Sequence, residues 1–172
     1  MMYFSSILIT VVIFVSPHVG GKTIADAGCP PSFERRDEEC FMLQDLPSNW
    51  PEAKVYCQVI GGDLARITTA NLQTTIADLV SKRPGGRYWV DGSEILQSRV
   101  WRWMMNNGKS FPFRYTNWHP GEPNSVDEKC VEVRNDWKGM WNDLDCLEKI
   151  GFICQARALN AKEMKFNEEV DR

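Results

Sequence analysis

The 172-residue sequence predicts an α+β fold, and three observations support this prediction. Two helical patterns lie early in the chain, short strand-like segments fill the later part, and six cysteines follow an N-terminal apolar run. About 150 residues remain after that run, which is enough for one domain with a hydrophobic core. The formal net charge is −3 and there is no long basic segment, so nucleic acid is an unfavourable partner.

The first 21 residues have the pattern of a secretory signal peptide. The apolar run over residues 7–15 is too short to span a bilayer, and Gly21 is small enough to end at a cleavage site. Residues 25–27 offer a second cleavage position, and no basic residue lies near Met1. We therefore expect a signal peptide over 1–21, a short leader over 22–28, and a secreted protein without a transmembrane anchor.

Two helices are predicted after an opening strand hairpin over residues 32–43. Ser48 is the expected N-cap of the first helix, Pro51 fits its first turn, and Gly61 marks its end. Thr69 is the expected cap of the second helix, which Pro84 ends. Apolar residues recur at helical spacing between these signals, so each helix has one face for the core.

The remaining elements are predicted to be short strands. Aromatic and β-branched residues dominate 88–90, 100–103 and 111–113, and three further strands are expected at 130–134, 139–144 and 150–155. Residues 115–129 form the longest polar, turn-rich loop, and such loops often carry function. Residues 157–172 are expected to be a charged C-terminal tail, with a weak amphipathic helix as the alternative.

Two acid–amide pairs and a further carboxylate lie in and after this loop. Glu122 and Asn124 form the first pair, Asn142 and Asp143 form the second, and Glu128 lies between them. Carboxylate and amide oxygens are hard ligands, and Ca²⁺ binds about 6–8 of them. The set therefore predicts one principal Ca²⁺ site that leaves positions open for a polyol such as a sugar. A polar surface turn is the alternative interpretation of either pair.

Catalysis has little support in the sequence. His119 is the only histidine after residue 21, so a Ser-His-Asp or Cys-His centre would depend on it. A two-carboxylate glycosidase is conceivable, but the best-placed carboxylates are those of the predicted Ca²⁺ site. We therefore predict that the protein is not an enzyme. We also expect Asp127 and Asp145 to be solvated charges and Trp141 to belong to the core.

Motifs spread from residue 29 to about residue 155 indicate a known family. They are Trp50-Pro51-Glu52-Ala53, Tyr88-Trp89, Tyr115-Thr116-Asn117-Trp118, Gly121-Glu122-Pro123-Asn124, Cys130-Val131-Glu132, Trp141-Asn142-Asp143 and Phe152-Ile153-Cys154. In this order, with the cysteines around them, the chain resembles the C-type lectin-like domain over residues 29–156. The resemblance implies two helices, two small antiparallel sheets and a long Ca²⁺-binding loop.

The resemblance also implies the disulfide pairing, which the residues alone leave open. The implied pairs are Cys29–Cys40, Cys57–Cys154 and Cys130–Cys146. The side chains implied as ligands of both the ion and the sugar are Glu122, Asn124, Glu128, Asn142 and Asp143. A cis peptide bond before Pro123 is implied as well. Accessory Ca²⁺ ions are not expected, because Ser125 and Lys129 stand where relatives that hold such ions have acidic residues.

The Glu-Pro-Asn order implies mannose-type ligands with equatorial 3- and 4-hydroxyls, namely mannose, N-acetylglucosamine, glucose or fucose. The Gln-Pro-Asp order found in other family members favours galactose. The expected partners are microbial surface polysaccharides, recognised or agglutinated in innate immunity. One exposed site of this kind binds at about millimolar concentration, so a homo-oligomer would supply avidity. The competing hypothesis is a structural or protein-binding member of the fold, of the mineral-associated, ice-binding or venom type.

Overall fold

The computed structural model describes residues 28–160 and Glu163. The expected signal peptide, the leader up to residue 27 and most of the expected tail lie outside these residues. In the described part of the tail, Asn160 and Glu163 exchange hydrogen bonds of 2.9 and 3.0 Å between backbone N–H groups and side-chain oxygens. This reciprocal pair is a capping box, and Glu163 is helical.

The described chain forms two helices and nine strands. The helices are α1 (Trp50–Val59) and α2 (Ala70–Ser81). The strands are β1 (Glu34–Arg36), β2 (Glu39–Ser48), β3 (Asp63–Leu64), β4 (Arg87–Ser93), β5 (Arg102–Met104), β6 (Ser110–Pro112), β7 (Cys130–Arg134), β8 (Trp141–Leu144) and β9 (Ile150–Arg157). This architecture confirms the predicted α+β class. Among the described residues, there is no helix of the length and apolarity that a membrane crossing requires.

Helix α1 begins one residue later than the sequence suggests. Asn49, and not Ser48, is its N-cap, and Asn49 and Glu52 form a capping box with hydrogen bonds of 2.9 and 3.0 Å. Ser48 is instead the last residue of β2, where it pairs with Ile150. The expectation for Ser48 was wrong because sheet pairing takes its backbone into the strand. Thr69 caps α2 as predicted, accepting from the backbone of Leu72.

The strands form two antiparallel groups that one parallel contact connects. The first group contains β1, β2, β3 and β9, and the second contains β4, β5, β6, β7 and β8. Strand β4 pairs in parallel with β9 through Tyr88↔Gly151 and Trp89↔Phe152, so the two expected sheets are continuous. A Cβ on Gly151 would lie 2.6 Å from the Gln44 carbonyl oxygen, so glycine permits this close approach.

Three disulfides with the implied pairing hold the fold together. Cys29–Cys40 closes the first hairpin, Cys57–Cys154 joins α1 to β9, and Cys130–Cys146 spans the β7–β8 hairpin. The Cys57–Cys154 bond links residues 97 positions apart. A loop of that length makes a disulfide worth about 4–5 kcal/mol through the restriction of the unfolded chain.

Buried tryptophans fill the centre of the domain, and three of them donate indole N–H hydrogen bonds. Trp50 donates to the Val90 carbonyl and Trp89 donates to the Ser48 carbonyl, both at 2.8 Å. Trp141 is fully buried, as predicted, and donates to Gln73 of α2 at 2.7 Å. A buried N–H without a partner would lose about 1–3 kcal/mol, so these bonds fix the ring orientations as well as the packing.

A buried ionic cluster lies where α1, β3 and β4 meet. Asp91 of β4 is fully buried and contacts Lys54 of α1, which also pairs with Asp63 at 2.7 Å. Arg66 completes the cluster at 2.8 Å from Asp63 and 3.5 Å from Asp91. Burial raises the pKa of Asp91 to about 8, because lost hydration outweighs the attraction of Lys54. The cluster ties α1 to both β3 and β4.

Candidate functional site

The polar loop between β6 and β7 runs beside strand β8 before it turns away. The backbone N–H of Trp141 donates to the Asn117 carbonyl, and the backbone N–H of His119 donates to the Trp141 carbonyl, each at 2.9 Å. The Glu122 N–H then donates to the His119 carbonyl at 2.9 Å and starts the turn. The peptide bond between Glu122 and Pro123 is cis. These contacts bring the first acid–amide pair next to the second pair on β8.

Asp143 joins the loop to the sheet through its carboxylate. The backbone N–H groups of Asn124 and Ser125 donate to Asp143 Oδ1 and Oδ2 at 3.2 and 3.0 Å. Asp143 is fully buried in β8, next to the Cys130–Cys146 hairpin. Because hydrogen bonds to a carboxylate are strong, this contact fixes the first acid–amide pair relative to a rigid strand.

Negative charge accumulates where the two pairs meet. Burial, together with the charges of Asp143 and Glu128, raises the pKa of Glu122 above its usual range. Burial and the charges of Asp143 and Glu132 likewise raise the pKa of Glu128. Glu122 Oε2 is buried and lacks a hydrogen-bond partner within the described part of the chain. A cation bound among these carboxylates would offset both effects.

Glu132 orients the second amide, a role the sequence did not reveal. Its carboxylate is fully buried and accepts two hydrogen bonds from Arg87, at 2.8 and 2.9 Å. The Asn142 Nδ2 group donates to Glu132 Oε1 at 2.9 Å. This bond fixes the orientation of the Asn142 amide and leaves its Oδ1 atom as an acceptor and its second N–H as a donor. Local sequence gives no sign of this contact, since Arg87 lies 45 residues from Glu132.

The neighbouring polar residues have other roles. Asp127 and Asp145 are exposed, and Asp145 accepts a hydrogen bond from the Leu147 backbone in the turn after β8. The His119 ring stacks on Trp137, with ring centroids 4.0 Å apart. The expected solvated character of both aspartates is thus confirmed, and His119 makes a packing contact at the rim of the loop.

The structure brings four of the five predicted ligands into one connected arrangement and places Glu128 within electrostatic range of it. Within residues 28–160, no three His, Cys, Asp or Glu side chains are close enough to form an assembled metal site. The donor set nevertheless fits a hard divalent cation. Glu122 Oε2 is a buried carboxylate oxygen without a hydrogen-bond partner among the described residues, and the Asn142 amide is oriented by its bond to Glu132. Oxygen donors without histidine or thiolate favour Ca²⁺ over zinc.

Comparison with known proteins identifies the family. A family model described as the lectin C-type domain matches residues 46–156, more than half of the chain. The chain belongs to the C-type lectin domain family. A perlucin-like protein of Mytilus galloprovincialis is 28% identical over 151 residues, covering 86% of this chain and 95% of that protein. A C-type lectin of Cerberus rynchops is 31% identical over 137 residues, covering 74% and 82% of the two chains.

Solved structures share the C-type lectin fold but differ in what they do. The carbohydrate-recognition domain of the mouse scavenger receptor C-type lectin superposes with a TM-score of 0.68 at 25% identity, covering 77% of this chain and all of that one. A calcium-independent type II antifreeze protein superposes with a TM-score of 0.65 at 27% identity, covering 76% and 95%. Membership of the C-type lectin family therefore establishes a non-enzymatic fold class, while function depends on the residues of the site.

Proposed function

We propose that this protein is a secreted Ca²⁺-dependent lectin that binds mannose-type sugars. The observation that carries the proposal is the connection between the two acid–amide pairs, in which the Asp143 carboxylate holds the backbone at Asn124 and Ser125. The proposed ligand residues are Glu122, Asn124, Glu128, Asn142 and Asp143. The charge that gathers at Glu122 and Glu128 supports a divalent cation there.

Sugar recognition follows from the pairing of acids with amides. A carboxylate accepts hydrogen bonds, whereas an amide also donates them, so each pair can bind one hydroxyl as donor and acceptor. Ca²⁺, when bound, supplies coordination positions for the lone pairs of two vicinal hydroxyls. Glu122 precedes Asn124, and this order corresponds to equatorial 3- and 4-hydroxyls of mannose, N-acetylglucosamine or fucose. Microbial surface polysaccharides carrying such sugars are the proposed partners.

Binding to mannan-agarose in Ca²⁺, followed by elution with a chelator or with mannose, tests the proposal. Retention that a chelator does not reverse would refute the Ca²⁺ mechanism. The double variant Glu122→Gln, Asn124→Asp should shift elution from mannose towards galactose, because it exchanges the donor and acceptor positions. Asp127→Asn is the matched control, since Asp127 is an exposed acid of the same loop, and it should leave sugar preference unchanged.

A structural or protein-binding role is the second candidate. It is favoured by the close superposition of a calcium-independent antifreeze protein on the same fold. The two candidates differ in their dependence on Asn142, a proposed ligand residue whose amide is oriented by its bond to Glu132. Asn142→Ala should abolish retention on mannan if the protein is a lectin. If Asn142→Ala instead abolished binding to a protein partner and left mannan retention unchanged, the second candidate would be favoured.

A further inference from the structure

The hairpin between β5 and β6 ends in an exposed turn formed by Asn106, Asn107 and Gly108. The backbone N–H of Gly108 donates to the Met105 carbonyl at 3.1 Å, and the backbone N–H of Met105 donates to the Lys109 carbonyl at 2.8 Å. Gly108 has a φ of 75°. These features match a short hairpin loop that closes on a left-handed glycine. The turn is therefore held by backbone bonds at its base while its tip faces solvent.

Asn107 and Gly108 form the only Asn-Gly pair in the sequence. The Asn107 Oδ1 atom accepts a hydrogen bond from the backbone N–H of Lys109 at 3.1 Å. A bond of this kind, from an asparagine side chain to the N–H two residues on, holds the carboxamide across the intervening peptide. No described atom lies within 4 Å of the place where a Cβ on Gly108 would stand. The Asn107 Cγ atom and the Gly108 nitrogen therefore lie side by side without a steric barrier between them.

We propose that Asn107 is a site of spontaneous deamidation, a modification that needs only water and is independent of the lectin function. The Gly108 nitrogen gives its proton to a solvent base and attacks Asn107 Cγ, so a C–N bond forms. The Cγ–Nδ2 bond then breaks, and ammonia leaves with a proton from solvent. Water opens the resulting five-membered imide at either carbonyl, which gives aspartate or isoaspartate.

The fold protects the other pair in which the same imide could form. Asp91 precedes Gly92 in β4, and aspartate before glycine can close the same ring with loss of water. Asp91 is fully buried, however, and Gly92 pairs with Trp103 in the sheet. A Cβ on Gly92 would lie 2.6 Å from a methyl carbon of Val131, so the space around this peptide is filled. Burial and sheet pairing therefore confine the reaction to the exposed turn.

The two products differ in their effect on the hairpin. Both add a carboxylate beside Lys109, whereas isoaspartate also adds a methylene to the backbone between Asn107 and Gly108. The longer loop no longer matches the bond between the Met105 N–H and the Lys109 carbonyl, which lies next to the Met104↔Ser110 pair. We expect the isoaspartyl form to lose amide-exchange protection at Met105, because the end of a short hairpin opens at little cost in free energy. The aspartyl form should keep that protection.

Incubation of the intact protein in mildly alkaline buffer, followed by peptide mapping, tests the proposal. Trypsin cuts after Arg102 and Lys109, and fragmentation of the peptide over 103–109 distinguishes Asn106 from Asn107. The modified peptide should appear as two products, each heavier than the parent because a hydroxyl replaces an amino group. Digestion in mildly acidic buffer keeps the reaction from continuing during the mapping.

Two variants test the chemistry. Gly108→Ala should slow the reaction about 10-fold or more, because a Cβ restricts the backbone beside the attacking nitrogen. Alanine is strained at a φ of 75°, so Asn107→Gln is the second variant. It keeps the glycine and an amide, but its longer side chain would have to close a six-membered ring. Its peptide should therefore stay unmodified.

Four outcomes would overturn parts of the inference. An unchanged mass of the wild-type peptide would overturn the site itself, and equal modification of Asn106 would overturn the role of Gly108. A reaction more than about 10-fold slower in the folded protein than in urea would overturn the accessible turn, since that factor corresponds to about 1.4 kcal/mol of protection. Full exchange protection at Met105 in the isoaspartyl form would overturn the effect on the hairpin.

Discussion

Replacing Glu132 with glutamine tests whether a buried carboxylate outside the proposed ligand set controls Ca²⁺ binding. Glu132 accepts three hydrogen bonds, two from Arg87 and one from Asn142. Glutamine has the same shape but replaces one acceptor oxygen with an NH₂ group. That group must face a donor on Arg87 or on Asn142. We expect the donor–donor conflict to release the Asn142 amide, which is then free to turn its nitrogen towards the ion.

The expected magnitudes follow from burial and hydrogen bonding. Glu132 is fully buried, and hydrogen bonds to a charged group are worth about 1.5–3 kcal/mol each. Arg87 is 35% exposed, so water compensates part of the loss of its ion pair. We expect Glu132→Gln to lower the free energy of unfolding by about 2 kcal/mol. Ca²⁺ affinity should fall about 10- to 100-fold, as it does when the partner of a metal ligand is lost.

The assay is a calorimetric titration with Ca²⁺ alone, combined with chemical denaturation at fixed Ca²⁺. Asp136→Asn is the matched control, because Asp136 forms a similar two-bond pair with Arg134, at 3.0 and 2.7 Å, on the surface. The control should change stability by less than about 0.5 kcal/mol and leave Ca²⁺ affinity unaltered. A Glu132→Gln protein that loses stability but keeps its Ca²⁺ affinity within twofold would refute the positioning role.

Three further predictions concern stability. Lys54→Met should lower the free energy of unfolding by about 1–3 kcal/mol in urea denaturation, because it removes one of the two cations that pair with the buried Asp63, and a loss under 1 kcal/mol would contradict the cluster. The Asp91 carboxyl is protonated up to about pH 8 in the folded state but ionises near pH 3.8 when unfolded. The unfolded state therefore binds fewer protons between these values, so this group should make stability fall by up to about 1.4 kcal/mol per pH unit as pH rises. Asp91→Asn should remove that part of the pH dependence of stability. Identical profiles of stability against pH for the variant and the wild-type protein would contradict this role of Asp91. Gly151→Ala should lower stability by about 1–3 kcal/mol and reduce the melting temperature, since its Cβ would lie 2.7 Å from the Tyr88 ring, and an unchanged melting temperature would show that the sheet adjusts.

Local signals in the sequence predicted most of the fold. Cys130–Arg134 forms a strand with the expected bounds, and Thr69 caps α2, because strand-favouring residue runs and helix caps depend on near neighbours. The strand expected at 139–144 begins only at Trp141, since Gly139 belongs to the preceding turn with a φ of 80°. The connection between the two sheets was missed, because two parallel residue pairs leave no periodic pattern in the sequence.

The candidate site was predictable as a set of residues but not as a geometry. Acid–amide pairs can be recognised from residue types alone, and the resemblance implies that they act together as ligands of one ion. The contact between Asp143 and the Asn124 backbone spans 19 residues, and the contact between Arg87 and Glu132 spans 45. Contacts of this kind depend on strand pairing, which is settled by the whole core. The sequence alone therefore does not connect Glu132 with Asn142, and only the structure links them.

The site draws its two halves from parts of the molecule that differ in rigidity. Asn142 and Asp143 lie on a buried strand of the hairpin that the Cys130–Cys146 disulfide closes. Glu122 and Asn124 lie on a loop whose turn is fixed to that strand chiefly through the Asp143 carboxylate. An ion that neutralises Asp143 competes with these two backbone bonds for the same oxygens while it adds bonds to Glu122. Ion binding and loop conformation are therefore thermodynamically linked. A carbohydrate-recognition domain and a calcium-independent antifreeze protein both superpose on this fold, so the scaffold alone does not determine whether an ion is bound, and the side chains of the loop and of β8 decide it.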